Sequence, residues 1–130
     1  MKFNNPHILY YVDSLDESRA FYEKLGFQVT FTAEAGGQAV HHELLLDGFT
    51  LGIATKEAAM KDHGLTPGPN EGCELVLWAE DADSAVEFLL GIGATLISEP
   101  HNFLDNKLRA GWVRDPNGNP IQIVCKNSRG

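Results

Sequence analysis

The stretch that decides the fold is SLDESRAFYEKLG, residues 14–26, because the similar stretch DADSAVEFLLGIG occupies residues 81–93, starting 67 residues later. Each stretch begins with a residue that favours a helix N-cap and ends on glycine, with apolar side chains at helical spacing between them. The identical pairs at this offset are Asp16 with Asp83, Phe21 with Phe88, and Gly26 with Gly93. An internal repeat of this kind predicts two similar modules.

Strand patterns surround both helices. Before each helix runs a near-continuous apolar segment, which is typical of a strand buried on both faces. After each helix come a further strand and a hairpin, whose turn is marked by Asp-Gly or Asn-Gly. The predicted strands and turns are 8–12, 28–32, 43–46, Asp47-Gly48 and 49–54 in the first half, and 75–79, 95–98, 112–114, Asn117-Gly118 and 121–124 in the second. Each half is therefore predicted to be a β-α-β-β-β module.

The modules are expected to span about 6–55 and 73–126. A linker over 56–72, rich in proline and glycine, joins them and begins with a short helix at 56–63. Modules of this size bury too little surface to be stable alone, so we expect one α+β domain over 1–130 in which they pack around a shared concavity. The modules pack either with each other or against a second chain, and the sequence leaves both open.

Composition and charge narrow the function classes. The chain has 130 residues, 43% of them apolar, and a net charge of −8 with a pI near 4.9. This composition is typical of a soluble globular protein, and the negative charge argues against nucleic-acid or anionic-membrane partners. Cys73 and Cys125 form no CxxC pair and are expected to be buried thiols facing the helices. Without an apolar leader or a long apolar run, we expect a cytoplasmic protein.

Two motifs carry a resemblance to a known family. The helix end FYEKLGF (21–27), the turn DPNGNP (115–120) and the tandem modules resemble the vicinal oxygen chelate superfamily, roughly from His7 to Val124. That superfamily includes glyoxalase I, bleomycin-resistance proteins, fosfomycin-resistance enzymes and extradiol dioxygenases. The resemblance implies a curved, largely antiparallel eight-stranded sheet with the helices on its outer face.

The resemblance also implies where a metal would bind, namely on the first and last strand of each module. The corresponding positions here are His7, Gly52, Glu74 and Gln122. Because Gly52 has no side chain, only His7, Glu74 and Gln122 remain as candidate metal ligands, and they form a weak donor set. We therefore expect no cofactor, with a divalent metal as the alternative.

Another polar cluster, His41, His42 and Glu43, offers a substitute ligand in the first module. Strand alternation places His41 and Glu43 on one face. The interpretation we favour is a solvated or edge-strand cluster, since nothing in the sequence places these residues near His7. His7 itself has an ordinary alternative role, a hydrogen bond to backbone.

Strand alternation predicts which side chains line the hollow of the sheet. Tyr11 shares a face with His7, and Trp78 shares one with Glu74. Trp112 lies in the strand before the second hairpin, and Phe103 lies in a segment, 101–107, expected to loop over the pocket mouth. Plain core packing of Trp78 and a mere surface connection at 101–107 remain the alternatives. The predicted ligand-binding residues are His7, Tyr11, Glu74, Trp78, Phe103, Trp112 and Gln122.

These residues favour one function over two others. The preferred hypothesis, in line with the resemblance to bleomycin-resistance proteins, is metal-independent binding of a small planar apolar or cationic molecule in a homodimer. The competing hypothesis is a lyase or isomerase of the glyoxalase type, in which a metal polarises an enolisable oxygenated substrate. Metal-free acid–base catalysis by Glu74 and His7 is the third.

Overall fold

The computed structural model describes residues 1–127, and the chain divides after Gly68 into two compact units. Each unit contains one four-stranded sheet and a β-α-β-β-β succession, with an additional helix at the end of the first. The α+β class and the two βαβββ modules predicted from the sequence are thereby confirmed. Within residues 1–127, no helix combines the length and apolar character needed to cross a membrane.

In the first unit, the sheet has the order β1-β4-β3-β2, with β1 parallel to β4 and the other pairs antiparallel. Its elements are β1 (Ile8–Val12), α1 (Leu15–Lys24), β2 (Gln28–Ala35), β3 (Gln38–Leu46), β4 (Phe49–Thr55) and α2 (Lys56–His63).

The second unit repeats this topology as β5-β8-β7-β6, again with one parallel pair, β5 with β8. Its elements are β5 (Leu75–Trp78), α3 (Ala82–Gly91), β6 (Thr95–Phe103), β7 (Leu108–Arg114) and β8 (Pro120–Lys126).

Local capping explains where the two repeated helices begin and end. Ser14 Oγ accepts a hydrogen bond from the Glu17 backbone N–H at 3.2 Å, and Asp81 Oδ2 accepts one from Ser84 N–H at 3.1 Å. Asp81 therefore caps α3 as Ser14 caps α1. Gly26 and Gly93 follow the helices with φ of 107° and 117°, a region that favours glycine.

Each sheet has one face packed against a helix. In the first unit the buried residues of β1, Tyr10 and Val12, alternate with half-buried Leu9 and Tyr11. In the second unit α3 packs on β6, β7 and β8, and it approaches so closely that a Cβ at Gly111 would lie 2.9 Å from Val86 Cγ2. The face of each sheet opposite its repeated helix, α1 in the first unit and α3 in the second, is called the helix-free face below.

The two predicted hairpin turns differ. Asp47-Gly48 is confirmed as a two-residue turn, because Leu46 pairs with Phe49 and both turn residues have positive φ. At Asn117-Gly118 the predicted hairpin is confirmed, since β7 and β8 pair antiparallel, but the predicted tight turn was wrong, because Arg114 pairs with Pro120 and residues 115–119 form a longer connection.

The buried Asp115 side chain organises that connection. Its Oδ1 accepts hydrogen bonds from the backbone N–H groups of Asn117 at 2.9 Å and Asn119 at 2.8 Å. Its Oδ2 accepts one from Asn119 Nδ2 at 3.0 Å. A side chain that pairs with local backbone in this way competes with the tight turn that Asn-Gly would otherwise form.

Two further expectations are corrected. The segment 101–107 is not a loop, because His101–Phe103 belongs to β6 and only Leu104–Lys107 connects the strands. Cys73 is exposed rather than buried, since β5 begins only at Leu75, whereas Cys125 is buried as expected.

Candidate functional site

The helix-free face of the second sheet carries the larger set of predicted ligand-binding residues. Strand pairing places its side chains in two neighbouring rows across the four strands. The rows are Val76, Gln122, Trp112 and Ser98, and Trp78, Val124, Ala110 and His101. Because directly paired residues share a face, the predicted positions Trp78, Trp112 and Gln122 lie on the same side of this sheet.

Trp112 is held in place by a carboxylate distant in sequence. Its indole Nε1–H lies 3.2 Å from Glu74 Oε2 and 3.4 Å from Oε1. A hydrogen bond to an ionised acceptor is stronger than one between neutral groups, and it fixes the edge of the indole. Glu74 precedes β5 and is exposed, so this interaction also orients the carboxylate on the sheet face.

Two more aromatic rings lie next to Trp112. The His101 ring stacks on the indole with a centroid distance of 5.7 Å and an interplanar angle of 23°, and Phe103 lies 6.4 Å away at 56°. His101 Nδ1 is in turn 2.7 Å from the Glu99 carbonyl oxygen, which fixes the orientation of the imidazole. Sequence reasoning placed His101 in a loop and missed this role; with β6 extended through Phe103, its side chain joins the aromatic cluster.

Trp78 behaves unlike a core tryptophan. Its side chain is 64% exposed, while Leu75 on the same strand is buried. Plain core packing of Trp78 is therefore contradicted. A large exposed aromatic on a sheet face offers a flat apolar surface on which a ring can stack.

The equivalent rows of the first sheet carry different chemistry. They are Leu9, Gly52, Glu43 and Phe31, and Tyr11, Ala54, His41 and Ala33. Gly52 pairs with β1 as Gln122 pairs with β5, so the two occupy equivalent positions of the repeat. Trp112 is matched by Glu43, and Trp78 by the half-buried Tyr11.

The space beside Gly52 is filled by its neighbours. A Cβ at this position would lie 2.5 Å from Leu9 Cδ1 and 3.5 Å from His7 Cδ2. The exposed His7 therefore reaches toward Gly52, while its Nδ1 lies 2.9 Å from the Asn5 carbonyl oxygen. A larger residue at position 52 would require Leu9 to move.

The cluster at residues 41–43 is neither solvated nor at a sheet edge, so that interpretation was wrong. β3 is an interior strand, and His41 and Glu43 are half-buried on the helix-free face, with His41 Nε2 3.9 Å from Glu43 Oε2. Burial lowers the pKa of His41, Glu43 acts in the opposite direction, and the charge of His7 lowers it further. His7 is thus close enough to act on the charge of His41, which the sequence did not indicate.

His42 points to the other face. It is only 2% exposed, and its Nδ1 lies 2.8 Å from Thr32 Oγ1. Burial is the main cause that lowers the pKa of His42, and Arg19 on α1 adds to it. His42 is thus part of the core beneath α1 and belongs to no ligand set on the helix-free face.

The residues predicted to hold a metal fit one poorly. Position 52 offers no side-chain donor, Gln122 offers a neutral amide, and both Glu74 oxygens are already acceptors for Trp112. Across residues 1–127, no group of three or more His, Cys, Asp or Glu side chains is arranged to hold a metal ion. Strong divalent sites use three or four convergent imidazole, carboxylate or thiolate ligands, so the donor chemistry here does not suit a tightly bound metal.

Comparison with known proteins shows the family of the chain. Residues 5–123 match the model of the Glyoxalase/Bleomycin resistance protein/Dioxygenase superfamily, and the chain belongs to this family. No curated protein matches the chain.

Solved structures share the fold at low sequence identity. A glyoxalase-related enzyme from Fulvimarina pelagi is 18% identical with a TM-score of 0.76, over 95% of this chain and 89% of that chain. A glyoxalase/bleomycin resistance protein/dioxygenase family enzyme from Burkholderia phytofirmans PsJN is 20% identical with a TM-score of 0.74, over 92% and 96%. A superfamily member from Sphaerobacter thermophilus DSM 20745 is 24% identical with a TM-score of 0.68, over 95% and 98%.

Proposed function

We propose that this protein binds a small planar molecule, apolar or cationic, without a metal, on the helix-free face of its second module. The observation that carries the proposal is the exposed Trp78 on the same face as the cluster of Trp112, His101 and Phe103. Aromatic surfaces held rigid before binding lose little conformational entropy when a ring stacks on them.

The charge of this face favours a cation over an anion. Glu74 is exposed at the edge of the aromatic cluster, and the whole chain carries a net charge of −8. A cationic ring stacked on tryptophan gains from the ring quadrupole as well as from the nearby carboxylate. Gln122, on the same face of the second sheet, completes the ligand-binding set that we propose for this module. His7 and Tyr11 of the first module stay predictions from the sequence.

The test compares two planar bicyclic probes that differ in charge and in one methyl group, quinoline and N-methylquinolinium, by isothermal titration calorimetry at pH 8, where quinoline is neutral. Trp78→Ala should weaken both probes about tenfold, because stacking and the associated buried area are worth roughly 1–2 kcal/mol. Phe88→Ala is the matched control, since Phe88 is also an exposed aromatic but lies on α3.

A second variant tests the contribution of the Glu74 charge to binding. Glu74→Gln should weaken N-methylquinolinium about threefold and leave quinoline unchanged, as expected for one exposed charge pair. Unchanged affinity of Trp78→Ala for both probes, or an equal loss in Phe88→Ala, would refute the proposed site.

The alternative, a metal-dependent lyase or isomerase, is tested by elemental analysis of protein purified without an affinity tag. We expect less than a tenth of an equivalent of divalent metal, and binding of N-methylquinolinium that is unchanged by a chelator. About one tightly held divalent ion per chain would refute metal independence and favour the enzyme. His7 and Glu74 would then be the first residues to substitute.

We also propose that the protein is cytoplasmic and forms a homodimer. Both cysteines are free thiols, which suits a reducing compartment. The exposed apolar side chains Ile8, Phe31 and Val76 would be covered by a second copy. Light scattering that gives the monomer mass of 14.3 kDa at micromolar concentration would refute the dimer.

A further inference from the structure

A groove on the other side of the second module has features of a separate binding site. It lies between α3 and β6, on the helix-covered side of the sheet, and has a volume of about 440 Å³. Its apolar floor is formed by Val86, Leu90, Leu96 and Pro100. Leu90 and Leu96 are 39% and 44% exposed, so part of this floor is open to solvent.

The rim of the groove is acidic. Asp83, Glu87 and Glu99 line it together with a single cation, Arg109. Asp83 and Arg109 form a bidentate pair, in which Nε lies 2.6 Å from Oδ2 and Nη2 lies 3.0 Å from Oδ1. The remaining guanidinium nitrogen, Nη1, donates to Asn102 Oδ1 at 3.0 Å.

This pairing leaves the rim with unbalanced negative charge. The Arg109 guanidinium is occupied by Asp83 and Asn102, so it is a poor anchor for an anion. Among residues 1–127, neither Glu87 nor Glu99 takes part in an ion pair. Two unpaired carboxylates above an apolar floor complement a molecule with a positive head and an aliphatic body.

We propose that the groove between α3 and β6 binds a small aliphatic ammonium compound, with its alkyl chain on Leu90 and Leu96 and its charge beside Glu87 and Glu99. This site is distinct from the aromatic face and does not depend on the function proposed above. Its ligand class also differs, because the groove offers aliphatic side chains where the other face offers rings.

The probe is hexyltrimethylammonium, titrated into the full chain and followed by amide chemical shifts, with hexanoate as the anionic counterpart. We expect saturable shifts at the amides of Leu90 and Leu96, and no comparable shifts with hexanoate. The combined variant Glu87→Gln/Glu99→Gln should weaken the ammonium probe about tenfold, as expected for two exposed charge pairs. Because these pairs are screened by salt, affinity should also fall as ionic strength rises.

Two variants locate the site and separate it from the aromatic face. Leu90→Lys places a cation on the groove floor at an exposed position and should abolish the groove shifts, with thermal unfolding confirming the fold. Trp78→Ala should leave these shifts unchanged. Shifts confined to the aromatic face, equal binding of hexanoate, or full affinity in Glu87→Gln/Glu99→Gln would each overturn the proposal. Groove shifts that depend on protein concentration without any probe would overturn it in favour of a second copy of the chain.

Discussion

The same substitution, glycine to alanine, should destabilise this protein by very different amounts at two positions. A Cβ at Gly111 would lie 2.9 Å from Val86 Cγ2 and 3.1 Å from Pro100 Cγ, and neither group moves easily, since Val86 is a buried residue of α3 and proline is rigid. At Gly52 the closest atom is Leu9 Cδ1, at 2.5 Å, the free end of a half-buried side chain.

The expected loss of unfolding free energy depends on which groups the added methyl group displaces. Overpacking that displaces a helix and a proline ring costs roughly 2 kcal/mol, so Gly111→Ala should lower the melting temperature by about 8 °C. Gly52→Ala requires only a rotamer change of Leu9 and should cost less than about 1 kcal/mol.

A double-mutant cycle isolates the contact at Gly52. In a Leu9→Ala background the obstructing carbons are absent, so Gly52→Ala should become neutral or stabilising by about 0.5 kcal/mol, because alanine restricts the unfolded chain more than glycine. Urea unfolding of the single and double variants measures this coupling. An equal cost of Gly52→Ala in both backgrounds would refute the conclusion that Leu9 fills the space beside Gly52. A cost as large as that of Gly111→Ala would refute it as well.

Two further predictions concern buried polar groups. Asp115→Ala should destabilise the protein by roughly 3 kcal/mol, because it leaves the buried Asn119 N–H groups without their acceptor; a loss below about 1 kcal/mol by thermal unfolding would contradict this. The pKa of His42 is lowered in the folded state, so the unfolded chain takes up the proton first, and stability should fall as pH drops below about 6.5. His42→Gln should show a smaller fall in urea midpoint between pH 7.5 and 5, and an identical fall would contradict the assignment.

Local patterns were sufficient to predict both repeated helices. Caps at Ser14 and Asp81 and glycines at 26 and 93 act within one helical turn, so the sequence contains all the information needed. Asn117-Gly118 was misassigned because the competing hydrogen bonds come from Asp115, and their strength depends on its burial. The strand β6 continues through Pro100 because it is an edge strand with an irregular register there, where a missing N–H is tolerated.

The candidate site was only partly predictable, because burial and long-range contacts are not encoded in local sequence patterns. Strand alternation predicted that Trp78 shares a face with Glu74. The exposure of Trp78, however, depends on which parts of the sheet the rest of the chain covers, and a local pattern does not encode that. The hydrogen bond from Trp112 to Glu74 joins residues 38 apart in sequence, and no local pattern encodes it. His41 and Glu43 were misassigned because their burial depends on β3 being an interior strand, which is a property of sheet order.

The structure of the protein in complex with N-methylquinolinium would test the proposed metal-free site most directly. We expect the ring to stack against Trp78, with its cationic nitrogen on the side of Glu74 and no metal ion between them. A ring bound away from this face, or a divalent ion held by Glu74 and Gln122 beside it, would contradict the proposal.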